Sequence, residues 1–467
     1  MNTVRVRFAP SPTGHLHIGG LRTALFNVLF ARHNKGTFII RVEDTDRERS
    51  HKDFVASQLA SLEWAGIRSD EPLVFQTERM FEYEKYIKKL LDEKKAYRCF
   101  CAASEGDEFY KYDGACRSRQ VTDEDLKKPH VIRIKFPLER ATISFHDLVR
   151  GTITFPSDQF DDFIIARSDG MPIYNFVVVI DDALMHITHV IRGEDHISNT
   201  PKQCILYEAL GFTAPQFAHI PLILGSSGQR LSKRDAATSV LEYKKAGYLS
   251  DAFCNYLVRL GWSHGDQEIF TREQMIELFS LDHVGKSGAI FDQAKLDWIN
   301  SHYIKETNNE KLLHCTVQDV QHNLFDLLGL WSEEQIRAFI GLYKERVKTL
   351  RQLVDDLQAV HDKSTQPTEQ ELAQWATPEA LHTLKEIMAL LDSCQDFSLS
   401  SVTDFVKSYV KQKGLKFVTC AQPIRLALIG STNGPGVFEL LEVLGKTESI
   451  SRIKQFLVTY NDQKNTR

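Results

Sequence analysis

Residues 5–27 read RVRFAPSPTGHLHIGGLRTALFN, and the change of pattern inside this stretch sets the fold class. Val4 to Phe8 alternates apolar and charged residues as a half-buried strand does. Ala9 to Gly20 then carries two prolines and three glycines, which exclude regular structure. From Gly20 to Arg32 the residues Leu21, Leu25, Val28 and Leu29 fall on one helical face. Gly36 precedes a second strand, Thr37 to Val42, that ends in the acidic turn EDTD. Strand, glycine loop, helix and strand open a parallel α/β sheet, in which ligands lie beyond the carboxyl ends of the strands.

The loop itself has the chemistry of an anion site. Pro10, Pro12 and Gly14 shape a tight turn, Gly19 and Gly20 let the backbone approach a ligand, and the helix behind them offers unpaired N–H groups to phosphate. His15 and His17 add side-chain donors. A second segment, GSSGQRLSKRD from Gly225 to Asp235, sets the cations Arg230, Lys233 and Arg234 in a glycine- and serine-rich loop of the kind that closes over polyphosphates. Singly, each segment reads equally as an ordinary turn or exposed loop. In this order they suit a nucleoside triphosphate gripped from two sides.

Outward from these motifs, Phe81 to Leu91 has helical spacing, and Ala96 to about Ile191 shifts to alternating β patterns (VIRIK, ATISFHDL, GTITFP, DFIIARSDGMPIYNFVVVIDD), with a hairpin turn at Ser168-Asp169-Gly170. Such a block between two α/β halves predicts an insertion. Helix Ser198–Leu210, ended by Gly211, and strand His219–Leu224 return the chain to the sheet, and from Ala236 onward the pattern is helical. The polar stretch Asp362–Gln370 and the turn STNGPG at Ser431–Gly436 are candidate breaks.

A chain of 467 residues is long enough for roughly two to four domains. Its net charge of −5 argues against a surface coated in cations for indiscriminate nucleic-acid binding, while Lys344–Lys348 and Lys407–Lys416 are local basic stretches, each read first as a solvated helix face. No continuous apolar run is long enough to span a bilayer, and the N-terminus enters a strand at once, so neither a membrane segment nor a signal peptide is expected. The eight cysteines are scattered apart from one local group, and a reducing, cytoplasmic setting is expected.

TGHLHIGG followed by LSKRD resembles the paired HIGH and KMSKS signatures of class I aminoacyl-tRNA synthetases. In detail RFAPSPTGHLHIGGLRTALFN, FIIRVEDTDRERS, YDGACR, SDGMPIYNF, HVIRGEDHISNTPKQ and RLSKRDAATSV are similar to the bacterial-type glutamyl-tRNA synthetases, and the likeness runs through essentially the whole chain. Gly20 replaces the last histidine of the HIGH pattern, and Arg230 takes the place of its first KMSKS lysine, leaving His17 and Lys233 as the catalytic pair that the resemblance implies. It implies ATP contacts from His15, His17, Gly19, Gly20, Arg230, Lys233 and Arg234, with Mg²⁺ on the triphosphate. It implies a glutamate site of Arg7, Ser11, Glu43, Tyr174 and Arg192, with Glu43 facing the ammonium group and either arginine open to the side-chain carboxylate.

The resemblance also implies a domain order. A Rossmann-like catalytic domain at 1–95 and 191–235 is split by an acceptor-binding α+β insertion at 96–190. A stem-contacting helical domain at 236–310 and an all-helical anticodon-binding region at 311–467 follow. Cys99, Cys101 and Cys116, with Tyr112 as fourth donor, could complete a tetrahedral structural Zn²⁺ site that some members of the family hold; buried free thiols are the competing reading. Arg346 matches a position where an arginine favours anticodons ending in C, against the alternative of a plain surface residue on an amphipathic helix. The expected protein is a monomeric, cytoplasmic ligase that joins L-glutamate to tRNA(Glu) through a glutamyl adenylate. It discriminates against tRNA(Gln), the alternative being an enzyme that glutamylates both tRNAs.

Overall fold

The computed structural model of the protein describes residues 3–46, 48–101, 111–229, 231, 239–329 and 331–462. The chain forms two compact units, Met1–Glu242 with Phe253–Gln293, and Tyr243–Ala252 with Ala294–Arg467.

In the first unit β1 (Arg5–Phe8) runs into α1 (Ile18–His33) and then β2 (Thr37–Val42), which pairs parallel to β1 from Arg5↔Thr37 to Phe8↔Ile40. Leu21, Leu25, Val28 and Leu29 form part of the buried face of α1, as their spacing requires. A glycine is needed at 36, because a Cβ there would lie 2.3 Å from the Val4 carbonyl oxygen. Next come α2 (Lys52–Trp64), β3 (Val74–Phe75), α3 (Met80–Asp92), β4 (Ala96–Cys99), β5 (Val131–Ile134), β6 (Thr142–Asp147), β7 (Gly151–Pro156), β8 (Ile164–Ala166), α4 (Tyr174–Leu184), β9 (His189–Gly193), α5 (Thr200–Leu210), β10 (Gln216–Ile220) and β11 (Ile223–Leu224). The main sheet has the order β3-β2-β1-β9-β10-β6-β7, parallel except for the β6–β7 hairpin, so both α/β halves share one sheet.

The block after Ala96 departs from its pattern in two ways. YNFVVVIDD is not a strand but helix α4, with Phe176, Val177, Val178, Val179 and Ile180 all buried. Phe176–Ile180 is a continuous buried apolar run, and in such a run periodicity cannot separate strand from helix. Nor does the whole block stand apart from the sheet. Only β4, β5 and β8 form a separate antiparallel sheet, while the β6–β7 hairpin extends the main one through the bridge Phe217↔Asp147.

Residues 236–310, expected as one domain, divide between the two units. Phe253–Gln293 joins the first because Phe279 packs edge-on against Phe26 of α1 at 5.2 Å and stacks on Trp262, which in turn meets Phe270. A short strand in it, Ala289–Ile290, pairs with β11, an exception to the helical pattern.

The second unit is helical among its described residues. Its larger helices are Gln293–Glu306, Glu333–Tyr343, Leu350–Asp362, Pro378–Asp392, Leu399–Gln412, Phe417–Ile429 and Val437–Asp462, the last kinked at Gly445. Ser332 and Thr368 start their helices with reciprocal capping boxes to Gln335 and Glu371. Lys344–Lys348 is not a helix face but the turn between two helices, since Val347 is driven into the core. The two candidate breaks are connectors inside this unit, clipped together where Glu371 Oε1 accepts Thr432 N–H at 2.8 Å and Thr432 O–H at 2.6 Å.

Candidate active site

The loop after β1 is held by its carbonyls: Pro10 O accepts Glu43 N–H at 2.9 Å, and Gly14 O accepts Gln58 Nε2 at 2.7 Å. His17 is the N-cap of α1, its Nδ1 accepting Gly20 N–H at 3.2 Å. A Cβ on Gly19 would come within 3.1 Å of that ring, so the glycine leaves room for the histidine. His15 is exposed, with Nδ1 2.7 Å from Ser57 Oγ.

Around this loop lies a cleft of about 380 Å³. It brings together Arg7, Ser11, His15, His17, Gly19, Gly20, Glu43, Tyr174 and Arg192. These residues come from the carboxyl ends of β1, β2 and β9, the loop between β1 and α1, the first turn of α1 and the start of α4. Arg230, Lys233 and Arg234 lie outside the described residues. The chain on either side of them borders the same place: Leu231 N–H bonds to Ile223 O at 3.3 Å and Val240 N–H to Leu16 O at 2.9 Å.

The cleft floor is a buried charge network. Arg41, with no exposed surface, lies 2.6 Å from Asp182, 3.1 Å from Glu43 and 3.7 Å from Asp181. Burial works against its charge, but Asp182, Asp181 and Glu43 outweigh it and hold the guanidinium protonated. Asp182 also takes Arg7 Nε at 3.1 Å. Burial raises Glu43 above the usual carboxylate range in spite of Arg41 and Arg7, so this anion gains from a further cation.

Arg192 is different. Nε donates to His219 Nε2 at 3.1 Å, and Nη2 donates to Thr200 Oγ1 at 2.9 Å and Gln203 Oε1 at 2.8 Å. Its Nη1 is buried with no hydrogen-bond partner among the described residues. Burial lowers the arginine from its usual range. A buried guanidinium that lines a cleft, is held by uncharged acceptors and keeps one donor unused gains from an added anion. Tyr174, whose hydroxyl is 3.2 Å from His196 Nδ1, is pushed up to about 12 by burial and by Glu43, and so stands as a neutral donor.

Residues 3–298 match the family of tRNA synthetases class I (E and Q), catalytic domain, and residues 316–457 match the anticodon binding domain. The chain belongs to the class I tRNA synthetases of the E and Q group. Among similar proteins, the glutamate–tRNA ligase of Thermodesulfovibrio yellowstonii is 46% identical, covering 97% of this chain and 99% of that protein. The glutamate–tRNA ligase of Syntrophotalea carbinolica is 44% identical over 97% and 98%. The crystal structure of a glutamate tRNA ligase from Elizabethkingia meningosepticum in complex with its amino acid is 34% identical and superposes with a TM-score of 0.87, covering 98% of this chain and 100% of that one. The synthetase architecture expected from the sequence, a Rossmann-like parallel sheet followed by a helical anticodon-binding region, is the one observed.

Away from the cleft, the synthetase gathers three sulfurs. Cys99, Cys101 and Cys116 lie within 4.8 Å of one another, and Tyr112 Oη stands 3.4 Å from Cys99 Sγ and 3.8 Å from Cys101 Sγ. Tetrahedral zinc with Zn–S bonds of about 2.3 Å needs sulfurs about 3.8 Å apart, so this donor set fits the ion. Burial and the adjacent Cys116 push the Cys101 thiol up to about 11, a preference that a dication among the donors reverses. In the helical unit Arg346 is exposed in the turn after helix Glu333–Tyr343. It lies near enough to Arg425 to join burial in lowering that second arginine.

The side chains that the motifs did not reveal are the supports. Arg41 sits in RVEDTD, Asp181 and Asp182 end FVVVIDD, and Asp147 and His219 lie in patterns that read as plain strand. For Arg41, Asp147, Asp181 and Asp182 the available signal was a charge in an otherwise apolar run, since such charges are buried only when paired.

Proposed function

We infer that this synthetase joins L-glutamate to tRNA in two steps. A glutamate α-carboxylate oxygen attacks the α-phosphorus of ATP and pyrophosphate leaves; a terminal adenosine hydroxyl of the tRNA then attacks the glutamyl carbonyl and AMP leaves. Neither step needs a covalent enzyme intermediate, so catalysis is positioning and charge stabilisation. The observation that carries the reading is Arg192, which lines the same cleft as Glu43 and the α1 N-terminus and whose buried Nη1 has no hydrogen-bond partner among the described residues. Arg7 is already paired with Asp182, so Arg192 takes the substrate side-chain carboxylate, while Glu43 takes the ammonium group and Tyr174 and Ser11 supply neutral contacts. Glutamine, with no negative charge to offer, leaves Arg192 uncompensated and is rejected. His15, His17 and the Gly19–Gly20 turn hold ATP phosphates from one side, and Arg230, Lys233 and Arg234 from the other, Lys233 and His17 meeting charge as it builds. Mg²⁺, when bound with ATP, would screen the charge of the triphosphate.

The same proposal includes discrimination for tRNA(Glu) through Arg346, supported by its exposure beside Arg425, and a structural Zn²⁺ held by Cys99, Cys101, Cys116 and Tyr112. It places the enzyme in the cytoplasm, in keeping with eight cysteines that form no disulfide among the described residues, and has it act as a monomer. Aminoacylation of purified tRNA(Glu) and tRNA(Gln) with glutamate or glutamine, with Lys233→Ala as control, tests the reading. Charging of tRNA(Glu) with glutamate alone, lost in the control, is expected. Preference for glutamine would overturn the amino-acid assignment, and equal charging of both tRNAs the discriminating one.

A further inference from the structure

Arg192 is held at its Nε by a relay that crosses three strands. His219 is its register partner across the parallel pair β9–β10, which sets the two side chains side by side on one face of the sheet. Behind His219 stands Asp147 at the end of β6, both without exposed surface. Asp147 Oδ2 accepts His219 N–H at 3.0 Å and Nδ1–H at 2.6 Å, and Oδ1 accepts the amides of Val149 at 3.0 Å and Arg150 at 2.9 Å. The carboxylate therefore fixes the imidazole proton on Nδ1 and leaves the Nε2 lone pair for Arg192 Nε–H. Thr200 Oγ1, 3.2 Å from the same Nε2, accepts from Arg192 Nη2 and donates to His196 O.

Resting on the reading of Arg192 as the carboxylate site, we propose that His219, oriented by Asp147, is the positioning residue that aims the unpaired Nη1 of Arg192 at the glutamate side chain without neutralising its charge. The choice of a neutral acceptor is the point. A carboxylate in direct contact with Arg192 would orient it equally well, but would satisfy the charge that distinguishes glutamate from glutamine. Here the acid sits one residue back, beyond an uncharged ring. Burial, with Arg192 adding to it, outweighs the opposing pull of Asp147 and holds His219 below its ordinary range, which favours the uncharged ring.

Two substitutions separate positioning from packing. The glutamine side chain carries its terminal amide about as far out as Nε2 and can keep the acceptor for Arg192; the asparagine side chain reaches only about as far as Nδ1 and cannot. In aminoacylation at saturating tRNA, His219→Asn is expected to raise KM for glutamate about tenfold with KM for ATP little changed, and His219→Gln to stay within about threefold of the parent. Arg192→Lys, run alongside, is expected to raise KM for glutamate at least as much as His219→Asn. If Arg192→Lys leaves that KM unchanged, both the carboxylate-site reading and the positioning role are overturned. If Arg192→Lys raises it but His219→Asn does not, the positioning role alone is overturned. Equal effects of Asn and Gln at 219, or KM values for ATP and glutamate rising together, also overturn it in favour of simple packing. Histidine nitrogen NMR of the unaltered enzyme, with the His219 signal assigned by its loss in His219→Gln, needs no Asn variant to fold. A neutral Nδ1–H tautomer is expected, and an Nε2–H tautomer or an imidazolium would overturn the relay.

Discussion

Arg41 Nη1 and Asp182 Oδ1 stand 2.6 Å apart with almost no surface on either residue, and the same carboxylate holds Arg7 at 3.1 Å. One buried acid thus anchors two of the arginines beneath the cleft. Asp182→Asn leaves both cations short of their main counter-charge, and removing one partner of such a pair costs about 3–5 kcal/mol. Urea unfolding should show a loss of that order, with Asp182→Ala at least as severe.

Replacing Arg192 by glutamine tests the proposal that its charge answers the glutamate side chain. The kcat/KM for glutamate should fall on the order of a hundredfold, as when one partner of a buried charge pair is truncated. The value for glutamine should fall much less, so the ratio of the two narrows. An unchanged ratio would place discrimination elsewhere in the cleft.

Protein purified without chelator should carry about one equivalent of zinc by elemental analysis, and Cys116→Ser should lose it. The local sheet β4–β5–β8 should then loosen, seen as faster amide exchange there, while KM for ATP is unaffected. Less than about a tenth of an equivalent would leave the three sulfurs as buried thiols.

Burial and then Arg192 hold His196 at about 4, below its ordinary value of 6.5. Between those values the unfolded chain takes up a proton that the folded protein refuses. The contribution to stability is therefore complete above pH 6.5 and is lost as pH falls towards 4. His189 and His219 are lowered in the same direction by burial. The thermal midpoint should drop between about pH 7.5 and pH 5, a range above most carboxylate titrations, and His196→Asn should flatten the slope.

Arg346→Gln tests the anticodon assignment in the helical unit. Charging of tRNA(Gln) should rise relative to tRNA(Glu), with kcat for glutamate on tRNA(Glu) unaffected at saturation. A uniform loss of affinity for both tRNAs would make Arg346 a phosphate contact instead.

The amino-acid sequence by itself determined the family, the parallel sheet, the glycine-histidine loop after β1 and many of the residues that line the cleft. Those features depend on local constraints: glycines where no side chain fits, prolines that end strands, and apolar spacing along a helix. His17 and Gly19 are legible as a pair because they sit in one turn. Asp147, His219 and Arg192 are not, because they are joined only by strand register across segments 27 to 72 residues apart. Register also decided that the β6–β7 hairpin joins the main sheet, and the buried apolar run of α4 gave no periodicity to separate helix from the strand that the sequence suggested. Whether an arginine is spent on an acid, as Arg7 is on Asp182, or keeps a donor without a partner among the described residues, as Arg192 does, depends on distances between elements remote in the chain. No local pattern carries that information, and only the tertiary structure decided it.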